Sequence, residues 1–226
     1  MRRCGERKFL QSRKEQSITY LLLLSISKFF TYFQMLKIGV TGIFGSGKST
    51  VSKIFKNFDI DVISCDTIVG NLLRTNQVKK QIQNIFGKQI LTSSGPIDRK
   101  KLANIIFSSK RQREKLNSII HPLVFEKIDK AIDKLSKRSK IIVIEIPLLF
   151  ETNSSKDFDI IITVSAAHSI IKKRLENKFS EDEIKKIWLS QIPLKEKIKK
   201  SDYVIDNDGP LHLTKLQIEN IIRKIY

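Results

Sequence analysis

Residues 40–50, VTGIFGSGKST, place three glycines and one lysine in eleven positions. Gly42, Gly47, Lys48 and Ser49 fit G-x-x-x-x-G-K-[ST], a loop whose backbone N–H groups turn inward around phosphate. Glycine lets the main chain wrap closely, and a helix starting at the loop's end aims its positive pole at the same point. Lys48 then stands where an ammonium reaches the β- and γ-phosphates, and Ser49 where a hydroxyl meets Mg²⁺. The ligand this stretch describes is a nucleoside triphosphate with Mg²⁺.

The loop leaves the fate of the phosphate open. GTPases read guanine with N-K-x-D, and the nearest match, NKFS at Asn177, lacks the Asp. Helicase and transporter ATPases usually carry an Asp or Asp-Glu at the end of a later strand. The corresponding strand here reads VIEIPLLFE, with Glu145 inside it and Pro147 directly after. A short chain with inserted helices favours a kinase acting on a small molecule. Asp66 follows the second apolar strand, at the sheet edge where ligands bind in open α/β folds. A carboxylate there either takes a proton from an attacking hydroxyl or caps the next helix.

The elements that must position these groups alternate. LKIGVT (36–41) is an apolar strand, followed by the loop and a helix from about Lys48 to Phe58. IDVIS is a second strand that runs out at Asp66, and IIVIEIP, DIIITVS and YVIDN are three more. Helical patterns fill 67–139, 167–177, 181–190 and 211–225. Strands that are apolar throughout and separated by helices imply a parallel sheet covered on both faces. The helical stretch 67–139 is too long for a simple crossover and reads as an inserted subdomain.

The chain carries 226 residues and a formal net charge of +19, from 31 lysines and 11 arginines against 23 acidic residues. The lysines are spread along the chain among Ile and Asn. A nucleic-acid face would more often be Arg-rich and interleaved with aromatics, so no nucleic-acid partner is expected. Two cysteines, Cys4 and Cys65, form no disulfide framework and suit a reducing, cytoplasmic setting. Residues 1–34 combine a basic start with ITYLLLLSIS, too short to span a bilayer and followed by no small-residue cleavage site. They read as an extension ahead of a domain beginning at Met35. Stable membrane association is not expected, and the chain is expected to be a monomer or weak homo-oligomer.

IGVTGIFGSGKSTV, VISCD, FGKQIL…GPIDRKKLANIIF, LNSIIHP, IPLLFE and SDYVIDNDG occur in one order. Together they resemble the dephospho-coenzyme A kinase family over residues 35–226. The resemblance implies a P-loop NTPase-type sheet, a helical substrate subdomain (about 67–139) and a small helical lid (about 168–192). It implies phosphorylation of the ribose 3′-hydroxyl of dephospho-CoA by ATP with Mg²⁺. ATP would lie on Gly42, Ile43, Phe44, Gly45, Ser46, Gly47, Lys48, Ser49 and Thr50, with Asn207 and Gly209 beside the adenine. Asp66 matches the family's proposed base. Arg99, His121, Leu148, Leu149 and Phe150 fall in substrate motifs, and Arg174 is the candidate phosphate clamp in the lid. By residue type alone Arg99 is a surface arginine, His121 before Pro122 a helix-end hydrogen-bonder, and 148–150 plain core. The sequence departs from the family at Ser64, usually a second Asp, and at Phe44, usually Ile. Two alternatives stand beside this one: another P-loop small-molecule kinase, such as one for nucleoside monophosphates, and an ATP-binding protein that uses its charge at a nucleic acid or membrane.

Overall fold

The computed structural model describes residues 35–225. Five parallel strands form one sheet: β1 (Leu36–Thr41), β2 (Asp61–Ser64), β3 (Ile141–Glu145), β4 (Ile160–Ser165) and β5 (Tyr203–Asp206). Their spatial order is β2-β3-β1-β4-β5. β1 is therefore central, and the loop leaving it is flanked by those leaving β3 and β4. Every residue of β3 is buried, which is why that strand is apolar without alternation. The reading of residues 1–34 as an extension lies outside the described residues.

The described residues form nine α-helices. On one face of the sheet, α1 (Lys48–Lys56) and α9 (Leu211–Ile225) send Val51, Ile54, Phe55, Ile218 and Ile221 into a cluster with Ile38, Val40, Val143 and Ile162. Between β2 and β3 the chain makes α2 (Cys65–Leu72), α3 (Asn76–Phe86), α4 (Arg99–Ser108) and the long α5 (Lys110–Leu135). After β4 come α6 (His168–Leu175), α7 (Glu181–Leu189) and α8 (Leu194–Lys199). Among the described residues no helix is long and apolar enough to cross a membrane.

Two boundaries differ from the sequence expectation. β2 ends at Ser64, and Cys65 and Asp66 already belong to α2, because the Ser64 hydroxyl accepts the Thr67 N–H and caps that helix. Asp66 is therefore not a cap. The second difference is α5, which continues through Pro122. An interior proline removes one ladder bond, but Pro122 sits on the exposed side, where water can satisfy the freed carbonyl. His121 consequently lies inside a helix and not at its end.

A buried ion pair ties the end of β3 to α8. The Lys197 side chain is fully buried, and its ammonium donates to Glu151 (2.9 and 3.0 Å to the two oxygens) and to the Pro147 carbonyl (2.9 Å). Glu151 Oε1 also accepts the Ile192 N–H at 2.8 Å. Burial pushes the Lys197 pKa down and Glu151 opposes that shift. Glu151→Ala strands the ammonium and is expected to cost about 3–5 kcal/mol, lowering Tm by roughly 10 °C. The pair-removing double substitution Glu151→Leu/Lys197→Met should recover most of that loss, as thermal melting would show.

Candidate active site

The loop after β1 needs glycine for two separate reasons. Gly42 and Gly47 both have positive φ, 150° and 95°. A Cβ on Gly42 would lie 2.5 Å from the Val164 carbonyl oxygen, and one on Gly47 2.0 Å from Asn207 Nδ2. The second contact marks a support behind the loop. Asn207 is buried and donates from Nδ2 to the Ser46 carbonyl (2.9 Å), while its Oδ1 accepts from Thr214 (3.1 Å). Arg174, in the last turn of α6, donates to the Asn207 carbonyl at 2.6 Å. Gly47, Thr50, Arg174, Asn207 and Gly209 share a cavity of about 210 Å³.

Lys48 opens α1 and is 7% exposed. Its ammonium folds back to donate to the carbonyls of Gly42 (3.2 Å) and Ile43 (3.0 Å). Burial lowers its pKa to about 8, against the opposing pull of Asp66 and Glu145. Ser49 donates its hydroxyl to Glu145 Oε1 at 3.0 Å. Glu145 is 3% exposed at the carboxyl end of β3, in register with Val40 and Ser64. This hydroxyl–carboxylate pair beside the phosphate loop is a hard-oxygen donor set of the kind Mg²⁺ takes. Glu145 was not among the sequence candidates. Its one signal was a charge ending an otherwise apolar strand.

Asp66, exposed in the first turn of α2, borders two cavities at once. One, of about 430 Å³, is apolar and also lined by Phe44, Lys48, His121, Phe125 and Leu148. Burial pushes the His121 pKa down, favouring a neutral imidazole, and the ring meets Phe125 edge-on at 6.4 Å. The other, of about 500 Å³, is lined mainly by polar and charged residues, among them Ser49, Glu145 and Arg99. Arg99, the first residue of α4, donates to the Gly70 carbonyl at 3.0 Å. Of the three residues 148–150, only Leu148 reaches the apolar cavity. Leu149 is fully buried in the core, where its Cδ1 leaves 2.7 Å for a Cβ on Gly39 of β1. Phe150 lies under the Lys200 ammonium, 5.9 Å from the ring centre. The Cys65 thiol, pushed up to about 12 mainly by burial, is chemically quiet.

Phe44 links the loop to the helices after β4. Its N–H is accepted by Gln191 Oε1 (2.9 Å), its carbonyl accepts from Trp188 Nε1 (3.0 Å), and its ring meets Phe179 edge-on at 5.1 Å. The partners come from 135–147 positions further along the chain, and nothing in the loop's own sequence announces them.

A glycine loop on the central strand of a parallel sheet, a lysine and serine at the start of the next helix, a carboxylate ending the neighbouring strand and another in the helix after β2 define a P-loop kinase fold. The family model of dephospho-CoA kinase matches residues 36–212, and the chain belongs to that family. It is 35% identical over 193 residues to the dephospho-CoA kinase of Aquifex aeolicus, covering 84% of this chain and 98% of that protein. To the dephospho-CoA kinase of Carboxydothermus hydrogenoformans it is 41% identical over 191 residues, covering 83% and 93%. Among solved structures, TT1252 from Thermus thermophilus superposes with a TM-score of 0.73 at 25% identity, over 85% of this chain and 99% of that one. Dephospho-CoA kinase from Campylobacter jejuni gives 0.60 at 28% identity, over 84% and 96%.

Proposed function

We propose that the protein transfers the γ-phosphoryl group of ATP to the ribose 3′-hydroxyl of dephospho-CoA, giving CoA and ADP, the last step of coenzyme A synthesis. The observation that carries this reading is Asp66, which borders both cavities while Lys48 lines one of them and Ser49 the other. In this reading the triphosphate lies along residues 42–50, with Asn207 and Gly209 beside the adenine. Lys48 leaves its two carbonyl partners for the β- and γ-oxygens. Arg174 spreads a planar fork over the transferring group, which a lysine cannot match. Ser49 and Glu145 would hold Mg²⁺, which would offset charge on the phosphate oxygens.

The acceptor enters from the helices of 67–139. Arg99, His121 and Leu148 bind it, and Asp66 takes the 3′-hydroxyl proton as that oxygen attacks the γ-phosphorus and ADP leaves. Closure of residues 168–192 excludes water that would otherwise hydrolyse ATP. Phe44, gripped from that segment by Trp188 and Gln191, couples closure to the loop. We further place the enzyme in the cytoplasm, as a monomer or weak homo-oligomer.

The test is ATP turnover with and without dephospho-CoA, beside a panel of nucleoside monophosphates. ADP release that requires dephospho-CoA supports the reading. Release driven as well by a monophosphate returns the chain to the wider class of small-molecule kinases. The fold beginning at Met35 has its own check. Leu36 already donates to the Lys140 carbonyl at 2.8 Å and pairs with Ile141, so deleting residues 1–34 leaves all five described strands in place. The truncated protein is expected to keep full kcat and an unchanged Tm, and a loss of either would assign the extension a part in the domain.

A further inference from the structure

The second cavity that Asp66 borders has a wall of cations that the transfer chemistry described above does not use. On α1, Ser49, Ser52, Lys53 and Lys56 all line it. Their spacing of i, i+3, i+4 and i+7 is a single helical face. Across the cavity stand Arg74, just past α2, and Arg99 at the start of α4. Among the described residues, none of Lys53, Lys56, Arg74 and Arg99 has a carboxylate oxygen within 4.0 Å of its charged nitrogens. The two carboxylates that share the cavity, Asp66 and Glu145, do not balance them.

A basic surface alone could simply be solvated, as most of this chain's lysines are. Ser52 argues otherwise. It is 4% exposed, it lines the cavity, and its hydroxyl has no hydrogen-bond partner among the described residues. A buried hydroxyl without a partner is costly unless a ligand or water completes it. Four convergent unpaired cations and an unsatisfied donor at about 500 Å³ make a receptor for a compact polyanion.

We propose that this cavity binds the 5′-diphosphate of the acceptor, with Lys53, Lys56, Arg74 and Ser52 joining Arg99 as its contacts. The proposal rests on the function given above. In dephospho-CoA the ribose carries the reacting 3′-hydroxyl on one edge and the diphosphate on its 5′ carbon. With the 3′-oxygen at Asp66, the diphosphate lies one ribose width away, and of the two cavities that Asp66 borders, the one lined by Lys53, Lys56, Arg74 and Arg99 suits its charge. The apolar cavity is left for uncharged parts of the acceptor. These cations would thus select a nucleotide ester over a bare nucleoside, a specificity that the phosphate loop cannot supply.

The test is Lys56→Ala/Arg74→Ala in the full chain, two side chains outside the transfer machinery. The KM for dephospho-CoA is expected to rise about 10- to 100-fold, as befits two charge-assisted contacts. The KM for ATP, the kcat and the Tm should stay near wild type. Adenosine, which lacks the diphosphate, should compete with dephospho-CoA equally well against both enzymes. An unchanged KM for dephospho-CoA in an otherwise active enzyme overturns the cavity assignment and leaves the function standing. Equal losses for ATP, dephospho-CoA and adenosine overturn it too, as a general structural effect. A wild-type protein that turns over ATP but not dephospho-CoA removes both the function and the proposal.

Discussion

Lys48→Ala is expected to lower turnover by about 10²- to 10³-fold, the usual consequence of losing one preorganised charge at a developing oxyanion. The variant should stay folded. Lys48 is buried, but its ammonium bonds only to the Gly42 and Ile43 carbonyls, and its depressed pKa shows that burial already works against the charge. Removing it relieves that desolvation, so Tm should scarcely move. The same group carries a pH signature. With a pKa of about 8, part of the Lys48 population is neutral just above that pH. Triphosphate oxygens favour the ammonium form and raise the pKa, so ATP binding at about pH 8.5 should take up a proton. Calorimetry in buffers of different ionisation enthalpy should show that uptake in the wild type and not in Lys48→Ala. Turnover of the variant within tenfold of wild type would remove the phosphate-loop assignment, and an uptake that survives the substitution would assign the proton to another group.

What could be read from the sequence was what is chemically local. The loop declared itself because a backbone that wraps phosphate demands glycine at fixed offsets, and the P-loop helix start sits in the same eleven residues. β3 declared itself because a strand buried on both faces leaves no polar alternation. The parts that stayed hidden depend on register or on distant partners. Glu145 meets Ser49 only because β3 lies beside β1, an adjacency that chain order does not state. The support of Phe44 by Gln191 and Trp188, and of Ser46 by Asn207, spans well over a hundred residues. Residues 148–150 occupy a turn, where no period tells which side chain faces the cavity and which the core. Lys197 was one of many lysines until α8 placed it against Glu151 with no exposure at all. Ser64 had been notable as a missing carboxylate. In the fold it has a task of its own, capping α2, and that frees Asp66 from the capping role its position had suggested.

Asp66→Asn should lower kcat by roughly 10²- to 10⁴-fold, the range for losing a general base, while the KM for ATP changes little. An amide keeps the shape and can still bond a hydroxyl, but it cannot take its proton. Because Ser64 is the cap, the substitution leaves the helix start intact and Tm should be close to wild type. Ser64→Ala provides the reverse pattern: a loss of about 0.5–1 kcal/mol in stability with turnover largely kept. Together the two variants separate chemistry from helix support at positions two residues apart. Steady-state kinetics with dephospho-CoA, read beside thermal melting, decide between the outcomes. A kcat near wild type in Asp66→Asn would free Asp66 of the proton transfer. The base would then be sought at Glu145, the other carboxylate lining the basic cavity, which Ser49 already touches.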